Sequence, residues 1–388
     1  MSSRSDCKEV IAVARDLVRI PSENPTGSEK MVGEFVSRWL AGAGVEVWRE
    51  PVEGDRFNVA ARIRGKTPGA VSLIWLAHMD TVPAGEGWSV DPFGGEIIEG
   101  RLYGRGSADM KGGLAAAMVA MKELAARERA PEGDLVLLAT VDEEGPHMKG
   151  AMAALEKGWV KENSYLVAVE PSGLQVLAAH KGPLWYQLNT FGKMAHAGNP
   201  GRGVDAIHAM SACLVRLKEL VEKLPYDDEL LGRATVNIGK IDGGVKTNVV
   251  PDHCRAEVDL RATYPMTVAE ADALIEQALQ EGLMQVPGAK ASWQRLGLPR
   301  PPQKMPESSP LLQAFLDSMQ QVTGRAEMAG FPAYTDGAIM AHKAGTPHCL
   351  TFGPGYLEQA HAVDEYVPVD HLVTTVKVLK EAAIKLLW

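Results

Sequence analysis

The sequence predicts an α/β protein: a central, mostly parallel sheet flanked by helices and interrupted by a smaller α+β domain. Three observations carry that prediction. In the first half, short apolar runs bounded by turn residues alternate with helix-period segments, the pattern of strands covered on both faces. From about His180 the strands alternate apolar and polar residues instead, with amphipathic helices between them. After the proline-rich LPRPPQKMP the first texture resumes and runs to Trp388.

In chain order, the periodicity predicts helices near Lys8 to Val18 and Glu29 to Ala43, then strands near Asn58 to Arg64 and Val71 to Ala77. A long Ala/Met-rich helix follows from Gly112 to Arg127, then the strands DLVLLAT and SYLVAVE. The second texture reads strand (PLWYQLNTFG), helix (GVDAIHAMSACLVRLKELVEKL), strand (ATVNIGKIDGG), strand (HCRAEVDLRAT), helix (TVAEADALIEQALQEGL) and strand (AKASWQRLG). A chain of 388 residues exceeds the roughly 100–200 of one domain, so two are expected: a discontinuous one over 1–179 and 299–388, and an insert over 180–298.

Composition narrows the function. The 49 acidic and 40 basic residues, a net charge of −9, are spread without a Lys/Arg block, so neither a nucleic-acid footprint nor a polybasic membrane patch is expected. No apolar stretch approaches the roughly 20 residues of a membrane-spanning helix. MSSRSDCKEVIAVARDLVRI reads as the first helix of the fold rather than a leader, which points to a cytoplasmic protein acting on small molecules. Cys7, Cys213, Cys254 and Cys349 lie far apart with no CxxC spacing, so they are expected to be reduced and structural.

Chemistry concentrates in five segments that set His, Asp or Glu at a strand end or in the loop after one. They are LAHMD (His78, Asp80), GRGSADMKGG (Asp109), ATVDEEG (Asp142, Glu143, Glu144), VAVEPSG (Glu170) and EQAHAVDEY (His361). Carboxyl ends of strands in open α/β sheets are where sites form, and histidines mixed with carboxylates suit zinc. Each residue alone also fits a bland role: a His at a strand end is commonly a hydrogen-bonded structural residue, and a Glu-Glu pair is commonly solvated surface. Gly104, Gly106, Gly112 and Gly113 raise a phosphate loop as an alternative, but the GxxxxGK[ST] order is missing and Asp109 stands where the third Gly of GxGxxG belongs.

In order, HMDTVPAG, DPFGGEIIEGRLYGRGSADMKGG, DEEG, EPSG, GKMAHAG, KTNVVPD and a late HAVDE resemble a zinc-dependent amidohydrolase and exopeptidase family. That family, the M20-type metallopeptidases, includes acetylornithine deacetylase, succinyl-diaminopimelate desuccinylase, aminoacylase and glutamate carboxypeptidase. The resemblance runs from IPSENPTG (Ile20 to Gly27) to VDEYVPVD (Val363 to Asp370). It implies a zinc-peptidase-like catalytic domain with a ferredoxin-like insert serving as lid and homodimerisation domain. It also implies two Zn²⁺ per subunit, with Co²⁺ or Mn²⁺ as substitutes. Asp109 would bridge the metals, His78 and Glu170 completing one ion and Glu144 and His361 the other. Asp80 would accept the second ring N–H of His78, the Asp109–Met110 peptide would be cis, and Glu143 would be the general base.

From the insert, the resemblance brings His196 to a partner subunit's active site as an oxyanion donor and Asn248 to the substrate or oxyanion. Arg261 is a candidate for a substrate carboxylate, with a strand-surface role left open beside it. Gly353 and Gly355 match the loop near which the family seats a substrate carboxylate. His180, His208, His253, His342, His348 and His371 match no metal position. The desuccinylase branch carries an arginine shortly after its TDG-like loop where this chain has Ile339 and Met340, which puts a succinylated dicarboxylate in doubt, and apolar residues around the Gly353 and Gly355 loop favour an N-acyl amino acid or small dipeptide. The alternatives are an exopeptidase, such as a glutamate carboxypeptidase or dipeptidase, and a non-catalytic metal-dependent binding protein. Retention of Glu143 with every expected ligand argues against the last.

Overall fold

The computed structural model describes residues 4–25 and 29–388, with side chains from residue 8 onward; Thr26 and Gly27 of IPSENPTG and the Cys7 thiol lie outside the described part. Two compact units emerge, one of Met1–Ala178, Lys304–Phe331 and Thr335–Trp388, the other of Ala179–Gln303 with Pro332–Tyr334. Ala179 and residues 299–303 and 332–334, expected in the discontinuous domain, fall with the second unit.

The sheet of the first unit is parallel at its centre. Leu135–Thr140, Leu73–His78, Tyr165–Ala168 and Cys349–Thr351 run side by side in that order, all parallel. Every residue of Leu73–His78 and Leu135–Thr140 is buried, which is why both read as continuous apolar runs. Arg56–Ile63 and Glu46–Glu53 extend one side antiparallel. The outermost of these strands contains Pro51, whose missing N–H is tolerated at an edge and which masks the strand in the sequence. The Gly112–Ala125 helix packs with Arg4–Val18 and Val369–Leu387, and Lys149–Glu156 packs with Asp336–Ala344. Both groups also touch the central strands.

Register decides where the chemistry lands. His78 pairs with Thr140, and Leu76 with Ala168, so these three neighbouring strands end within two residues of one another. The segments that follow carry His78 to Asp80, Asp142 to Glu144, and Glu170 to a single rim.

The second unit is a four-stranded antiparallel sheet in the order Thr235–Gly243, His253–Ala262, Gly182–Phe191, Lys290–Leu296. Helices Ala206–Glu222 and Val268–Leu283 pack on each other and on the sheet, closing a core that includes Tyr186, Cys213, Leu217, Leu260 and Ile275. Asp205 caps the first helix by accepting the His208 N–H, and Thr267 with Glu270 forms a capping box on the second. Cys213, Cys254 and Cys349 are free and buried, and burial pushes all three thiols up. Among the described residues no helix is long and apolar enough to cross a membrane.

Candidate metal centre

Asp109 stands at the middle of the rim with one carboxylate oxygen facing each histidine. Oδ1 lies 3.0 Å from His78 Nε2, and Oδ2 lies 3.4 Å from His361 Nε2. Glu170 Oε1 is 3.7 Å from His78 Nε2, and Glu144 Oε1 is 3.0 Å from His361 Nε2. Ligand atoms of His78, Asp109 and Glu170 all fall within 4.8 Å of one another, as do those of Asp109, Glu144 and His361 and those of His78, Glu143 and Glu144. Two donors each about 2.1 Å from a tetrahedral zinc sit about 3.4 Å apart, so this set fits such an ion.

The electrostatics favour a cation as well. Burial, together with Asp109 and Glu143, pushes the Glu170 carboxyl up, and burial with Asp336, Glu144 and Asp109 does the same to Glu143. Burial also acts on Asp109, but hydrogen bonds from His361 and His78 overcome it and hold the carboxyl well below its usual range. Hydrogen bonding to Asp109 and Glu144 lifts His361 to about 10. Burial opposes a proton on His78, yet Glu170 and Asp109 raise it well above its ordinary value. The pocket draws positive charge to the spot where the two oxygens of Asp109 diverge.

Asp80 organises the turn behind these ligands. Its fully buried carboxylate accepts the N–H of Glu143 at Oδ1 and the N–H of Glu144 at Oδ2, both at 3.1 Å, and Asn24 Nδ2 at 2.8 Å. His78 Nδ1 lies 2.9 Å from the Asp80 backbone carbonyl and 3.6 Å from the carboxylate, so the expected orienting contact comes first from the main chain. The carboxylate oxygens are already taken by the Glu143–Glu144 turn. Asn24 also donates to Asp142, which accepts from Arg56, and Arg56 in turn pairs with the buried Glu29. Asp142 is thus a structural anchor; Asn24, within IPSENPTG, supports the site with Arg56 and Glu29, and the sequence alone assigns none of these a role.

The glycines of GRGSADMKGG serve geometry. Gly106 has φ +82, and a Cβ there would sit 2.6 Å from the Thr81 methyl. At Gly113 a Cβ would lie 1.9 Å from the carbonyl oxygen of Val169, the residue before Glu170. This contact seats the helix after Asp109 against the strand end that bears Glu170. Gly113→Ala is therefore expected to cost about 1–3 kcal/mol or more through forced displacement, read as a lower urea midpoint with unchanged slope. The Asp109–Met110 peptide is cis.

Gly353 and Gly355 lie in a loop tied down by its own main chain. Their N–H groups donate to Ser172 Oγ at 3.1 Å and His371 Nδ1 at 3.3 Å. A Cβ on Gly353 would come 2.5 Å from the Glu170 carbonyl, so this glycine permits close packing behind a ligand. Ile339 and Met340 are fully buried and offer no cation to a substrate.

In the second unit His196 and Asn248 lie on adjacent exposed segments: His196 bridges to Val249, and Ala197 N–H donates to the Asn248 carbonyl at 3.1 Å. The strand His253–Ala262 carries Arg261, which pairs with Asp259 two residues back at 2.9 Å, the strand-surface arrangement left open above. Of the histidines without a metal position, His180 and His371 are buried, and His348 contacts Ser309 at 2.9 Å.

A family model described as peptidase family M20/M25/M40 matches residues 74–385. The chain belongs to this family. It is therefore a hydrolase acting on amide bonds, and membership in a metallopeptidase family implies divalent metal binding, for which the cluster above supplies candidate ligands. Among M20 relatives, an acetylornithine deacetylase of Edwardsiella ictaluri is 31% identical over 379 residues, 94% of each chain. A succinyl-diaminopimelate desuccinylase of Rhodopseudomonas palustris is 30% identical over 381 residues, covering 94% of this chain and 95% of its own. The fold matches an M20 family metallo-carboxypeptidase of Sulfolobus solfataricus with a TM-score of 0.80 at 19% identity, over 97% of this chain and 99% of that one.

Proposed function

We propose that this M20 hydrolase cleaves the amide bond of an N-acyl-L-amino acid, using two zinc ions held by His78, Asp109 and Glu170 and by Asp109, Glu144 and His361. The observation that supports it best is the divided Asp109 carboxylate, Oδ1 at 3.0 Å from one histidine and Oδ2 at 3.4 Å from the other. When bound, the cations supply Lewis acidity, lowering the pKa of a water toward about 7 and polarising the scissile carbonyl.

The chain's own groups do the rest. Glu143, partly exposed on the turn that Asp80 holds, takes a proton as the water oxygen attacks the carbonyl carbon. It then returns that proton to the nitrogen as the C–N bond breaks, leaving an acid and a free amino acid. Burial, with the charges of Asp336, Glu144 and Asp109, raises the Glu143 carboxyl above its ordinary range, which favours its holding a proton in transit. His196 of a partner subunit donates to the oxyanion in this reading, with Asn248 beside it, and the second unit serves as lid and homodimer contact.

The substrate class is tested by assaying amino-acid release from N-acetyl amino acids, dipeptides and C-terminal glutamyl substrates side by side. The highest kcat/KM is expected on an N-acetyl amino acid. Preference for dipeptides or glutamyl substrates would move the enzyme to the exopeptidases. Sharing of His196 has its own check: an inactive His196→Ala chain mixed with an inactive Glu143→Ala chain should regain partial activity as heterodimers. Verified heterodimers without activity would confine the site to one subunit.

A further inference from the structure

We infer that Glu365 is a positioning residue, a buried carboxylate that fixes the orientation of Asp109 from behind; this rests on the reading of Asp109 as a metal ligand. Glu365 is fully buried. Its Oε2 accepts Arg105 Nη1 at 2.6 Å and Gly106 N–H at 3.1 Å, and its Oε1 accepts Ala108 N–H at 2.8 Å and Asp109 N–H at 3.1 Å. The Glu365 backbone carbonyl takes Gly104 N–H at 2.9 Å. Three successive-turn amides and a guanidinium thus converge on one side chain, a nest for an anion that the chain itself supplies.

The placement connects two ligands. Glu365 lies four residues after His361, so the segment that carries one ligand clamps the turn that carries the other. Arg105 is held in turn over the Trp88 ring, at 5.1 Å, and donates to the Ala84 carbonyl at 3.2 Å; Asp364 accepts the Ser89 N–H at 2.8 Å. Capping a turn would need only water or a neutral oxygen, whereas burying a carboxylate against a guanidinium is costly. The cost is reasonable where the Asp109 oxygens must diverge toward two histidines, since groups behind the ligands commonly set metal affinity.

The test is a zinc titration of purified, chelator-stripped full-length protein against a chromogenic competitor, run on wild type, Glu365→Gln and Asp109→Asn. A glutamine keeps the shape but turns an N–H₂ toward donors, so two of the four bonds fail. Zinc binding about 10–100-fold weaker in Glu365→Gln, with kcat lowered and KM unchanged, is the expected result. Wild-type affinity and kcat in folded Glu365→Gln, or a change in melting temperature alone, overturn the inference. Wild-type zinc affinity in Asp109→Asn instead removes Asp109 from the metal, and both readings fall. Should Glu365→Gln not fold, Arg105→Met with Glu365→Leu removes both charges together. The same titration then decides: weakened zinc supports the inference and wild-type affinity overturns it.

Discussion

If Glu143 is the general base proposed above, Glu143→Ala is expected to lower kcat by about 10²–10⁴-fold, with KM changed little and bound metal retained. The prediction follows from how the turn is held. Asp80 grips the Glu143 and Glu144 main-chain N–H groups, each at 3.1 Å, and those bonds survive removal of the Glu143 side chain. Glu144 therefore keeps its place 3.0 Å from His361. Stability should be unchanged or slightly raised, because the lost carboxylate is one that burial and the charges of Asp336, Glu144 and Asp109 disfavour. Steady-state kinetics with metal analysis and thermal unfolding check all three parts. A near-normal rate would take the proton transfer away from Glu143, and loss of one metal equivalent would make it a ligand.

How far the sequence reveals this site depends on whether the signal is local. His78, Glu143, Glu144 and Glu170 end or follow short apolar runs bounded by turn residues, the pattern of buried strands, so a rim at their carboxyl ends is legible from run length and strand order. The second unit is equally legible, because its alternation and helix periods are undisturbed. What escapes is long-range. Asn24, Arg56, Glu29 and Asp142 come from segments up to 118 positions apart and form a chain of side-chain bonds that no spacing announces. Pro51 hides an edge strand because its local meaning is to break one. Asp80 shows a subtler limit. A motif can place a carboxylate behind a histidine, but only the fold tells that its oxygens go to the Glu143–Glu144 turn while its carbonyl meets the ring. Gly353 and Gly355 repeat the lesson, since a glycine-rich loop looks the same whether its amides face a ligand or Ser172 and His371.

Withdrawal of metal should abolish activity altogether, and zinc or cobalt should restore it, because the mechanism proposed above draws its Lewis acidity from cations at the Asp109 oxygens. It should also lower stability. Carboxylates of Asp109, Glu144 and Glu170 converge on a few ångströms of largely buried space, and burial with mutual repulsion raises Glu144 and Glu170. A cation bound there engages only the folded chain, which alone brings ligands from five separate segments together. At a free concentration of 100 times Kd, one such ion stabilises the fold by about 2.7 kcal/mol. Thermal unfolding of stripped protein, then of protein with zinc added stepwise, should therefore show a melting temperature that climbs with metal and saturates. The His78→Ala chain should climb less, since it has lost a ligand from one of the two sets. Full turnover in rigorously metal-free protein would sink the mechanism, and a melting temperature indifferent to zinc would show that the ligands do not act as one cluster.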